Sequence, residues 1–492
     1  MLRCWCVFLL LLSSSFAIAD AKVSPKQSGQ KHAPTTLPVT TSSAQARKSF
    51  ERAMRTFEEY RLNETLQYLR EAAKADPKFA QAFIMIAKIS KDPAEQAAAR
   101  RRAKRLAPTV SPGERLLIRW LAGAQEDDYL PAIAAMNDLL EKYPDDARLA
   151  FLAGDWLTLQ ERYQQAVVVL EHALTLLPNY PAALNDLGYT YAYDGDFEKA
   201  FAAMDRYVTL EPDQPNPRDS YGEILRMDGK FDAALEQYRM SVRMDPNFGS
   251  ELGVADTLAL MGKEEEAREE YGRAIVFAGS LGEKVQYELQ SAMTWIREGN
   301  RKQAEKALGD VAKHAHAAGL AGLEAEAHRV LAMYEPDPKS ALKHVQTAQH
   351  ALQEPHEISL SDRNEEQARI LRIQATRSAE AADLDIAAQA VSQLETMTGR
   401  SRSRVIQLCY HGAVGAVLVA QGKFAEAVPH LEEDSADPLS MRLLWRAYGS
   451  AGAAAQAQAI ASKLAGLNVP TVEQALVVPQ FRASLVSQAG RP

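Results

Sequence analysis

Six of the ten histidines lie between His314 and His356, and Gly-Lys pairs stand at Gly229-Lys230, Gly262-Lys263 and Gly422-Lys423. The first group suggests metal ligation and the second phosphate binding. A Walker-type loop needs a further glycine five residues before the one that precedes its lysine. Ile224, Thr257 and Val417 stand there instead, so turns between helices account for all three pairs. A metal site needs several imidazoles converging within about 2 Å of one ion. His314 and His316 are two residues apart, which on a helix turns them roughly 200° from each other. His328, His344, His350 and His356 fall on other expected helices. They read as solvated or helix-end side chains, and no metal or cofactor is expected.

Cys409 and His411 raise the idea of a nucleophile and its base. On one helix they diverge in the same way, and Cys409 opens an apolar helical stretch, as a small packed residue does. Asp127-Asp128, Asp145-Asp146 and Glu264 to Glu266 fall at turns and helix starts, where acids favour the helix dipole. No acid–base pair emerges, and no enzyme activity is expected. The run Arg100, Arg101, Arg102, Lys104 and Arg105 has two readings: a solvated face paired with nearby acids, or a possible anion patch that docks a partner. The formal net charge of −8 gives no global attraction to nucleic acid, which is not expected as a partner.

These residues must be positioned by a chain of 492 residues, longer than one hydrophobic core usually supports. Residues 1–19 carry Arg3, an apolar run from Cys4 to Phe16 and the small-x-small site Ala17-Ile18-Ala19, the pattern of a cleaved secretory signal. A membrane anchor is the rival reading, but the run is shorter than the roughly 20 residues that span a bilayer. Cleavage would leave Cys409 as the last of three cysteines, so packing rather than a disulfide must hold the fold. Residues 20–45 are rich in Ser, Thr, Pro, Lys and Gln, and read as a disordered leader.

Beyond the leader a ruler appears. Prolines stand at 144, 178, 212 and 246, and alanines at 132, 166, 200 and 234, each 34 residues after the last. Gly154, Gly188 and Gly222 keep the same step, as do Gly195 and Gly229. A fixed period of this length marks a stacked helical unit. With Pro181 as position one, Leu187, Gly188, Tyr191, Ala200 and Pro212 match the signature of the tetratricopeptide repeat (TPR) family, which this region resembles; Leu184 replaces its common Trp and Tyr207 its common Ala. Gly188 and Ala200 are expected where paired helices approach closely, Gly195 at the left-handed end of the first helix. The resemblance implies an all-α, right-handed superhelical solenoid of stacked helix–turn–helix pairs.

The register is clear over 113–275, weaker over 46–112 and 276–407, and returns over 408–492, where 471–492 reads as a cap. About twelve pairs are expected between 46 and 470. In this family the first helices line a concave groove, with positions 5, 9 and 13 exposed along it. The resemblance then assigns three stripes: Phe151, Asp155 and Leu159; Asn185, Tyr189 and Tyr193; Asp219, Glu223 and Met227. Arg148 and Arg226 would border them. Phe151, Leu159 and Met227 could equally be core. Some members clamp acidic C-terminal peptides with lysine at position 5 and asparagine at position 9; Phe151, Asn185 and Asp219 exclude that clamp. The expectation is an exported scaffold, periplasmic or secreted, that binds protein or peptide segments within a cell-envelope assembly. The alternative is an envelope enzyme, or its recognition subunit, with a site hidden in the weak repeats.

Overall fold

The computed structural model describes residues 35–489, with side chains through 486; the expected signal segment lies outside them. Among the described residues there are 25 α-helices, one short 3-10 turn and no strand. Twelve consecutive hairpins run from Ala44–Glu58 paired with Leu62–Ala75 to Pro438–Ser450 paired with Ala454–Ala465, and a last helix, Val472–Ala489, follows. No helix among the described residues is long and apolar enough to cross a membrane.

The 34-residue ruler has a packing cause. The second-helix alanines 132, 166, 200, 234, 267, 304 and 341 are all fully buried where the two helices of a hairpin touch. Opposite them, a Cβ on Gly154 would sit 2.4 Å from Leu170, and one on Gly188 2.2 Å from Met204. Gly222 faces Tyr238 at 3.1 Å and Gly415 faces Leu431 at 2.5 Å, so each glycine meets the residue sixteen positions later. Hairpins close through a left-handed residue: Gly195 has φ +86°, and Asp127 and Glu161 hold the same place without being glycine.

The fading of the register after 275 follows from helix length. The hairpins over 147–244 use helices of 13 and 14 residues. The hairpin Leu281–Arg297 and Arg301–Ala317 uses 17 and 17, and Leu360–Glu380 with Leu384–Arg400 uses 21 and 17. Three or four extra residues add close to one helical turn of 3.6. The apolar face therefore keeps its direction while the linear spacing drifts.

The array also meets itself. Tyr129 Oη lies 2.9 Å from Ser361 Oγ, and Asn364 Nδ2 donates to Asp127 at 2.8 Å. Arg404 lies 3.7 Å from Glu161. The partner helices Tyr129–Lys142 and Leu360–Glu380, or Tyr163–Leu176 and Arg404–Ala420, stand thirteen apart in chain order. Hairpin turns of one stretch thus touch helix starts of a later one, contacts that no local pattern encodes. Within the expected leader, residues 35–43 are also packed: Leu37 N–H donates to Asp146 at 2.8 Å, and Gln81 donates to the Pro38 carbonyl at 2.9 Å.

Candidate partner-binding surfaces

The three expected stripes are brought together on neighbouring first helices, Ala147–Leu159, Pro181–Tyr193 and Pro215–Met227, but most of their length is covered from within. The turn joining the first two helices of the array lies on them. Phe57 packs its ring 5.9 Å from that of Phe151, which is 1% exposed. Tyr60, held at φ +58°, donates to the Ala182 carbonyl at 3.3 Å and to Asp186. Arg61 reaches Gln214 at 3.1 Å and Asp245 at 3.6 Å. Lys88 pairs with Asp155 at 2.7 Å, and Glu58 accepts from Arg148 and from Tyr180.

Asn185 is buried under the same cover. Arg226 is not a rim residue: it is 2% exposed and bridges Glu223 at 2.8 Å and Asp256 at 3.3 Å. Glu223 also accepts from Tyr189 at 2.9 Å. Asp219 is half-buried, and burial pushes its carboxyl up to about 7. Phe151 and Asn185 therefore pack where solvent exposure had been one expectation, because a turn distant in sequence covers them, and Arg226 is held by Glu223 of its own helix and Asp256 of Glu251–Leu260.

What remains open is the C-terminal end of the second stripe. Tyr193 is 44% exposed and Leu159 67%. The Tyr193 ring stacks on Tyr163 at 6.0 Å and on Tyr189 at 6.2 Å. Glu161 and Asp194 border this ladder, and burial, reinforced by their charges, pushes the Tyr163 hydroxyl up to about 12. Sequence reasoning missed Tyr163: the 34-residue step aligns it with Phe197 and Phe231, which open second helices, outside the three groove positions.

Asp186 lies under the covered part and is 9% exposed; its Oδ2 finds no hydrogen-bond partner. Burial, reinforced by Asp155, raises its carboxyl to about 8. An unfolded Asp ionises near pH 4. Between those values the folded state holds the extra proton, so stability falls as pH rises from about 4 to about 8. Asp186→Asn should remove that slope. Melting curves should show the variant clearly more stable than wild type at pH 8 and level with it at pH 4; a parallel pair of pH profiles would refute the assignment.

The basic run is largely paired. Arg100, buried, donates to Gln125 at 2.8 Å; Arg101 meets Glu357 at 3.3 Å; Arg102 donates to the Pro77 carbonyl at 2.6 Å; Lys104 meets Glu126 at 2.5 Å. Arg105 is exposed. Lys104 also edges a cleft of about 880 Å³ with Arg115, Leu116, Arg119 and Asp138. Cys409 is buried and its thiol is pushed up to about 12 by that burial, while His411 Nδ1 lies 3.1 Å from His430 Nδ1. No thiolate–imidazole pair forms.

With the hairpin geometry established, one further finding names the repeat unit at 181–214. The family model described as a tetratricopeptide repeat matches residues 181–214. This segment is a tetratricopeptide repeat. The surrounding hairpins repeat its glycine contacts and buried alanines, so the fold is an all-α TPR solenoid. No curated protein matches the chain in sequence. Among solved structures, the APC/C hetero-tetramer Cut9-Hcn1 is 18% identical, with a TM-score of 0.43 over 84% of this chain and 78% of that one. YrrB, a TPR protein with an unusual peptide-binding site, is 16% identical, with a TM-score of 0.26 over 37% and 92%. PilF of Pseudomonas aeruginosa is 14% identical, with a TM-score of 0.30 over 57% and 97%.

Proposed function

We propose that this chain is an exported scaffold that binds a protein or peptide segment within a cell-envelope assembly. The observation that carries the binding reading is the open ladder of Tyr163, Tyr193 and Tyr189 beside exposed Leu159, edged by Glu161 and Asp194. An apolar, aromatic ledge with an acidic border suits a basic or mixed apolar segment: rings supply contact area at low entropy cost, and the acids steer approach. Export rests on residues 1–19, whose charged start, apolar run and small-x-small site follow the secretory pattern.

Co-purification from native membranes and from the exported fraction identifies the partner, and titration of variants locates its site. Tyr193→Ala should weaken that partner by ~1–3 kcal/mol, as loss of an aromatic anchor does. Its melting temperature should barely move, since the ring is nearly half exposed. Glu236→Lys, on an exposed second-helix position, should leave affinity unchanged. Equal affinity for both variants would move the site away from the ladder.

A further inference from the structure

Three helix ends meet around His316. His316 ends the helix Arg301–Ala317, Glu324 lies in the first turn of Ala321–Tyr334, and Glu354 caps Pro338–Gln353. His316 Nδ1 lies 3.1 Å from Glu324 and 4.0 Å from Glu354, and one ligand atom from each of the three fits within 4.8 Å of the others. His356 Nε2 lies 3.2 Å from the same Glu354. We propose that His316, Glu324 and Glu354 form a binding site for a divalent transition metal of the zinc type, with His356 orienting Glu354.

Charge is the first argument. Two carboxylates stand within one ion's reach of each other, and Glu324 is 9% exposed. Among the described residues neither is paired with Arg or Lys; histidines are their only ion-pair partners. A divalent ion held between the two carboxylates would offset both charges while the imidazole nitrogen completes its shell.

Geometry is the second. Tetrahedral bonds of 2.0–2.1 Å place neighbouring ligand atoms about 3.3 Å apart, close to the 3.1 Å and 4.0 Å from His316, while the two carboxylates, within 4.8 Å, must close by up to about 1.5 Å. The ligands come from helix ends rather than a free loop, and Gly319, at φ +68°, turns the chain between His316 and Glu324. A Cβ at Gly319 would lie 3.4 Å from His356 Nδ1, so this turn also packs the orienting histidine. A ligating carboxylate held by a second hydrogen bond is the usual supporting arrangement.

Ligand type selects the metal. One nitrogen with two oxygens suits zinc and its neighbours, whereas calcium and magnesium favour all-oxygen shells. Three side chains leave a fourth position, which water can take. His316 is more than half exposed, and it and Glu324 line a cleft of about 760 Å³, which provides an entry path.

The test is calorimetric titration of the full chain with zinc in excess magnesium, together with cobalt substitution. Expected are one equivalent of zinc and the intense d–d bands of four-coordinate cobalt. Glu324→Gln and Glu354→Gln, both near-isosteric, should each weaken zinc at least tenfold while circular dichroism and melting stay near wild type. His172→Ala, an exposed histidine elsewhere, should change nothing. Zinc binding of wild-type strength in both glutamine variants, or no stoichiometric binding at pH 7.5, would overturn the site.

Discussion

Arg329→Met should destabilise the fold by about 3–5 kcal/mol at pH 7.5, the range for breaking a buried ion pair by removing one partner. Arg329 is 4% exposed and donates to Glu366 at 2.7 Å, to Glu326 at 3.1 Å and to Glu473 at 3.2 Å. Those carboxylates come from three helices, Leu360–Glu380, Ala321–Tyr334 and the final Val472–Ala489. One guanidinium thus ties the following hairpin and the last helix to its own hairpin. Methionine keeps the volume and removes the charge, leaving three carboxylates, of which Glu366 retains only Arg369 at 3.5 Å.

The pH dependence gives the sharper test. Burial already raises the Glu326 carboxyl with Arg329 present. Without the arginine, which lowers it, the Glu326 carboxyl should hold its proton to still higher pH in the folded state than in the unfolded chain. The variant's stability should then be closest to wild type at acidic pH and fall away as pH rises. Denaturant titrations at pH 5 and pH 7.5 should show the deficit shrinking at the lower value, and Glu366→Gln added to Arg329→Met should recover part of it. A deficit under about 1 kcal/mol at pH 7.5, the scale of an exposed pair, would mean that water reaches the cluster.

What the sequence made legible is what recurs locally. Gly188 and Ala200 could be placed because each packs inside its own hairpin or against the next, and Gly195 because the turn it closes needs a left-handed residue; such features repeat with the chain. The longer hairpins after 275 keep that physics but lose the ruler. Contacts that depend on the array meeting itself left no trace. Tyr60 reaches Asp186 across 126 residues, which is why an expected groove turned out to be lined with cover. His316, Glu324 and Glu354 converge only because three helix ends do, and the angular argument that separated His314 from His316 was sound yet silent about partners on other helices. Arg226 shows the limit of position counting: the place expected at the border of the stripes is buried between Glu223, one turn back, and Asp256 on the next first helix, Glu251–Leu260.

The second large effect should come from Gly253→Leu, at about 3 kcal/mol or more. Tyr238, 1% exposed, lies between two glycines of neighbouring first helices. A Cβ on Gly222 would sit 3.1 Å from its ring, and one on Gly253 would sit 2.1 Å from it. At Gly188 the obstructing atom is the tip of Met204, which can swing away, so that position should tolerate alanine better. The Tyr238 ring has no such freedom. Its own helix, Phe231–Met244, is pinned on both sides, and a larger residue at 253 must push Glu251–Leu260 outward. That displacement opens the contact on which the next hairpin stacks, so the loss should spread along the array. Gly272 supplies the matched control: it lies in the helix Glu264–Phe277, is exposed, and has nothing within 4 Å of its Cβ position. Gly272→Leu should stabilise slightly, since leucine forms helix better than glycine by roughly 0.5–1 kcal/mol. Thermal melts of the two variants should therefore move in opposite directions from wild type, and a shift of the same sign in both would show that Tyr238 does not set the spacing of these helices.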